Sequence, residues 1–187
     1  MGAALDIYDG TLTKYLLYPT DYFGFKYAAH LGGMVPGMVQ LTLFTVLALV
    51  FFELPNELAV TPLTVMMTLG TVVVANLLMF LMRFIVQLLA FWADSVWSLN
   101  TMLRFTADLL GGLLLPLSLF PPWAQEALVW TPFPYLYWIP VMTLLGEVGV
   151  EEWARGLAVT AVWAAVMGGI ALAVWRRGNL SYTGVGI

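Results

Sequence analysis

The chain has 187 residues, of which 61% are hydrophobic and only 10% charged, and its formal net charge is −4. A soluble domain carries about 25% charged residues, so water is excluded as the main solvent of this surface and lipid takes its place. The absence of cysteine excludes disulfides, thiolate chemistry and cysteine-held metals, and the lack of any basic run excludes a nucleic-acid partner.

Residues 1–30 mix Asp6, Asp9, Lys14, Asp21 and Lys26 with Leu5, Ile7, Leu12, Leu16 and Leu17. They lack the basic start and apolar centre of a signal peptide, and Asp6 breaks the myristoylation pattern. Leu12, Leu16 and Leu17 sit at helical spacing and Pro19 ends that pattern. The spacing predicts one short amphipathic helix lying on the cytoplasmic face, followed by a turn.

Four apolar stretches then follow at 33–54, 61–83, 99–119 and 156–175, the second able to continue toward Trp92. Crossing a bilayer takes about 20 apolar residues, and backbone in lipid must satisfy its own hydrogen bonds, so these are expected to be helices. No period-two alternation suggests a membrane barrel. Lys14 and Lys26 precede the first stretch, Arg83 and Arg104 flank the turn between the second and third, and Arg176 and Arg177 close the fourth. Four spans place all six on one side, which the positive-inside rule assigns to the cytoplasm together with both termini and the tail 176–187. Arg155 falls on the other side with Glu53, Glu57, Glu126, Glu147, Glu151 and Glu152.

Residues 121–152 are too long for a turn and too broken for a span. Pro121, Pro122, Pro132, Pro134 and Pro140 interrupt them, and Trp123, Trp130, Tyr135 and Trp138 are aromatic residues with a polar edge. Proline breaks helices and such aromatics favour the membrane boundary, so an extracytoplasmic re-entrant hairpin is expected. The fold class is therefore all-α: a polytopic bundle of four spans, a cytoplasmic amphipathic helix and a re-entrant hairpin, in one membrane domain.

Few residues offer chemistry. Asp108 lies within the third span, where a carboxylate costs roughly 2.5–3.5 kcal/mol. It is either functional or paired with Arg104 one turn earlier. Asp94, Ser95 and Asn100 read as helix-capping residues. His30, alone, makes no metal site and is expected to form an interfacial hydrogen bond. Glu147, Glu151 and Glu152 read as a solvated turn rather than a cation cage. Gly33 and Gly37 form a GxxxG of low specificity. There is no Walker loop, so the chain is not expected to hydrolyse ATP.

Three stretches together resemble the membrane subunit of a type-2 ABC exporter, in the bacterial branch of ABC-2 family transporter permeases. They are DIYDGTLTKYLLYPTDY, LAFWADSVWSLN followed by GGLLLPLSLFPPW, and PFPYLYWIPVMTLLG with the tail WRRGNLSYTGVG. The resemblance implies a dimer, with itself or a second permease, seated on separate ATP-binding subunits that hold ATP and magnesium. The chain itself would carry no cofactor. It implies that Asp6, Ile7, Gly10, Leu12, Tyr15, Leu16, Leu17 and Pro19 form the segment touching the ATPase, and that residues 121–152 lie near the exit of the pathway. Such subunits usually have six spans, so the resemblance implies either a missing pair before Asp6 or a shortened subunit. Two other classes stay open: a membrane-embedded enzyme using Asp108 and Arg104, and a structural or assembly subunit.

Overall fold

Long apolar runs become the longest helices, even where Pro36 interrupts the first of them. In a computed structural model, which describes residues 2–17, 21–51 and 60–182, they are α3 (Tyr22–Phe51), α4 (Pro62–Leu88) and α8 (Val150–Ser181). These three are long and apolar enough to cross a membrane, α4 with its 3₁₀ extension to Phe91. Between and before them lie the shorter α1 (Ala3–Tyr8), α2 (Leu12–Leu17), α5 (Trp97–Leu110), α6 (Pro122–Leu128) and α7 (Trp138–Leu145). No strand occurs among the described residues, as the all-α reading expects. Pro19, Glu53, Glu57, the end of the first expected span at 52–54 and tail residues 183–187 lie outside the described residues.

Helix α4 is the centre of the bundle. Thr61 and Thr64 close a reciprocal capping box at its start, with Pro62 in the first turn. Its buried face runs through Met67, Thr71, Ala75, Leu78, Leu81, Phe84 and Leu88, a spacing of three and four residues that keeps one side inward. Helix α8 packs along it in parallel. Near the start of both, the Trp153 indole N–H donates to the Met67 carbonyl at 3.0 Å and to the Thr71 hydroxyl at 2.9 Å. At the other end Phe91, just past α4, lies against Gly178, where any Cβ would collide with its ring.

Two parallel neighbours oblige the chain to travel back along α4 between them. The sequence assigns that return to one helix over 99–119, but α5 ends at Leu110. At 1.5 Å per residue its 14 residues rise about 21 Å, short of a bilayer core. Gly111, Gly112 and Pro116 explain the stop. Gly112 takes φ +86°, a left-handed conformation that favours glycine, and the Asp108 carbonyl accepts from both Leu113 and Leu114 N–H at 3.0 Å. The stretch stays apolar while its backbone leaves the helix.

The remaining boundaries also move. Helix α3 begins at Tyr22 rather than 33, so residues 22–30 belong to it and not to the amphipathic segment. Helix α8 starts at Val150, which places Glu151, Glu152 and Arg155 in its first turns rather than in a loop, and it continues through the expected tail to Ser181. Beyond Met34, described side chains of α3 from Val35 to Leu47 are exposed on every side, and a Cβ added at Gly33 or Gly37 meets nothing within 4 Å. An apolar helix without protein around it is a lipid-facing or interface element.

Candidate functional site

The platform end, where α4 and α8 finish, carries α1 and α2. The single amphipathic helix expected there is two helices, because Gly10 turns the chain between them with φ +71°. The Ile7 and Leu12 side chains face inward and are buried, Leu12 completely, with Ala3 and Ala4 beside them. The pair therefore forms a platform with an apolar underside.

Four polar attachments fix that platform. The Ala3 N–H donates to the Gln87 side-chain oxygen on α4. The Tyr8 hydroxyl donates to the Ala93 carbonyl at 2.9 Å, in the turn after α4. The Thr13 and Tyr182 hydroxyls meet at 3.3 Å, tying α2 to the end of α8. The strongest is an ion pair between Asp6 of α1 and Lys26 of α3, with 4% and 7% of their surfaces exposed. The Tyr22 hydroxyl donates to the same Asp6 oxygen at 2.8 Å, and the Tyr22 ring stacks on Trp175 of α8 with centroids 4.8 Å apart. The Lys26 ammonium also sits over the rings of Tyr15 and Tyr22 at 5.1 and 5.4 Å. Burial, with the nearby Asp94 carboxylate, holds the Tyr8 phenol above its ordinary titration range.

The exposed surface of the platform mixes apolar residues with Asp9, Thr13 and Lys14. Leu5 is 50% exposed, Leu16 44% and Leu17 81%. Of the residues expected to touch a partner, Leu16 and Leu17 are thus presented outward. Asp6, Ile7 and Leu12 are anchors, Gly10 is the turn, and Tyr15 packs sideways against Tyr22 and Phe25 at 5.5 and 5.1 Å. Behind the platform an apolar cavity of about 840 Å³ opens between α2, α4 and α8, lined by Tyr15, Tyr22, Leu81, Ala164 and Trp175 among others.

The broken segment forms a second assembly. Pro121 and Pro122 start α6, and Trp123 and Trp130 are exposed. Pro132, Pro134 and Pro140 are buried, and Tyr135 inserts against Gly156 of α8. The Tyr135 hydroxyl donates to the Val129 carbonyl at 2.7 Å. The Trp163 indole N–H donates to the Trp130 carbonyl at 2.9 Å, and the Trp138 N–H to the Gly111 carbonyl at 3.1 Å. These contacts satisfy irregular backbone, which a membrane tolerates only where protein or water supplies partners.

A family profile described as ABC-2 family transporter protein matches residues 3–186. The chain belongs to the ABC-2 transporter family. It is a membrane protein and a permease subunit of that family. No curated protein and no solved structure matches it.

The other sites expected of this ABC-2 permease are plainer. Asp108 pairs with Arg104 at 3.6 Å and lies beside Tyr137. Ser95 contacts the Trp97 N–H only loosely at 3.4 Å, and Asn100 turns back to the Val96 carbonyl. His30 meets Asn76 of α4 at 3.4 Å. Among the described residues no three His, Asp or Glu side chains converge as a metal site. Sequence reasoning left out Tyr22, Lys26, Gln87 and Tyr182, the side chains that receive the platform, and the Ala93 carbonyl that accepts from Tyr8. Only the mixture of charge and aromatics at 21–27 hinted at them.

Proposed function

We propose that this permease subunit couples ATP hydrolysis on a separate ATP-binding chain to movement of its own helices, with the platform as the point of contact and the platform end in the cytoplasm. The observation that carries this reading is the two-sided platform. Its exposed side, where Leu5, Leu16 and Leu17 stand with Asp9 and Lys14, is open to a partner, while its inner side is tied to α3, α4 and α8 together. A displacement imposed on Leu16 and Leu17 therefore reaches three long helices as one rigid step, the physical requirement for driving a two-state bundle. Clustering of six Lys and Arg toward the platform end supports the orientation. Under this reading residues 121–152 cap the far side near the exit, and the subunit works as a dimer with itself or a second permease.

The test is co-expression with an ATP-binding subunit that carries GxxxxGK[ST] and is encoded beside this gene, followed by reconstitution in liposomes. Leu17→Glu is expected to weaken the complex, or to leave ATP hydrolysis running without transport, while membrane insertion stays normal. Full transport by Leu17→Glu, or no association of the wild-type pair, refutes the assignment.

A further inference from the structure

A second cavity, of about 350 Å³, lies on the face of the α3–α4 pair, and its chemistry differs from the apolar one. It is lined by Gly2, Ala3, Lys26, His30, Arg83 and Gln87 among others. Residues 26, 30 and 33 recur on one face of α3, and residues 80, 83, 84 and 87 on one face of α4. Two helix faces therefore converge on it. Lys26 brings its charge already matched by Asp6. Arg83 does not: among the described residues no carboxylate lies within ion-pair distance of it. Its half-buried guanidinium gives the cavity a net positive charge, with the Gln87 amide and the His30 ring as neighbouring polar groups.

Depth indicates what fills it. About 20 helical residues cross the hydrocarbon core. Counted from Pro62, they reach Leu81, so Arg83 falls at the boundary where headgroups begin. Lys26, four residues into α3, lies at the same end. An unmatched arginine is costly in hydrocarbon and persists where an anion compensates it. A guanidinium presents paired N–H donors that fit phosphate oxygens, and basic pockets between membrane helices at this depth suit acidic headgroups. We infer that the Lys26–Arg83–Gln87 cavity is a binding site for an anionic phosphate ester, with Arg83 as its principal contact, filled in the membrane by the headgroup of an acidic phospholipid. The site is separate from the outer surface of the platform, and its test involves no ATP.

The experiment places the full chain in phosphatidylcholine nanodiscs, titrates phosphatidylglycerol and counts retained lipid by native mass spectrometry. Inorganic phosphate serves as the soluble competitor. One phosphatidylglycerol per chain is expected to be held in preference to phosphatidylcholine. Arg83→Gln is expected to lower its affinity about fivefold, the contribution of one basic residue at a charged surface, whereas Arg83→Lys retains most of it. Arg176→Gln with Arg177→Gln, both exposed, should leave the retained lipid in place. Lipid that millimolar phosphate fails to displace confirms the headgroup as the source. Lipid that phosphate displaces confirms the phosphate chemistry and assigns the site to a soluble ester. Equal retention by wild type and a folded Arg83→Gln variant, or no preference for the acidic lipid, overturns the inference.

Discussion

Removing one partner of the Asp6–Lys26 pair is expected to undock α1, and the two single variants should differ. Lys26→Gln leaves a carboxylate in a site where Asp6 is only 4% exposed. Its remaining support is the Tyr22 hydroxyl at 2.8 Å and the distant Thr11 hydroxyl at 3.5 Å. Breaking a buried pair in this way costs about 3–5 kcal/mol, so amide protection over residues 3–17 should fall about a hundredfold or more. Asp6→Asn strands the ammonium instead, but among three rings, Tyr15, Tyr22 and Phe25, at 5.1, 5.4 and 5.9 Å. Cation–π attraction returns about 0.5–2 kcal/mol, so this variant should lose less. The double variant Asp6→Leu with Lys26→Met replaces both charges with apolar groups and should dock nearly as well as wild type. Hydrogen–deuterium exchange of the three variants in nanodiscs, with α4 as internal reference, measures all of this. Unchanged protection in Lys26→Gln, or a double variant as weak as the sum of the singles, would show that the pair does not hold the platform.

Gly178→Val should force Phe91 out of its seat and destabilise the platform end by about 1–3 kcal/mol, read as a lower thermal midpoint than Gly168→Val, whose position is open. Trp153→Phe removes the indole donor shared by Met67 and Thr71 and should cost about 1 kcal/mol at the far end of the α4–α8 pair, while leaving exchange at residues 3–17 unchanged. Tyr8 titrates higher in the docked form than its ordinary value of about 10, so docking favours the neutral phenol. Its contribution is intact below that pH and is lost as pH rises through the raised value. The protection factor of α1, taken relative to intrinsic exchange at each pH, should therefore fall in strong base, and Tyr8→Phe should remove that fall.

Apolar runs made α4 and most of α8 legible, because a continuous stripe of Leu, Val, Phe and Met admits little besides a buried or lipid-facing helix. The start of α3 was not legible. Lys26 and His30 make residues 22–30 look like a water-facing segment, and only the partner at Asp6, 20 positions away, neutralises the charge. The end of α5 was hidden for a different reason. Hydropathy reports depth rather than conformation, and GGLLLPL is as apolar as a helix while its glycines and proline forbid one. At the platform, the spacing found the amphipathic character but not its division by Gly10. It joined Leu12, Leu16 and Leu17 in one stripe, whereas packing assigns the first to anchoring and the other two to the surface.

The short α5 also bears on how the chain is assembled in the membrane. Fourteen residues are too few to partition as an independent span, and the irregular stretch above it depends on the Trp163 indole and the surface around Gly156, both supplied by α8. Those groups leave the ribosome after the segment they complete. During synthesis the return strand must therefore wait, incompletely hydrogen-bonded, in a water-accessible or chaperoned place until α8 arrives. Insertion of this region is post-dated by the order of the sequence. A released chain truncated after Leu145 should expose residues 111–137 to protease, and the full chain should protect them.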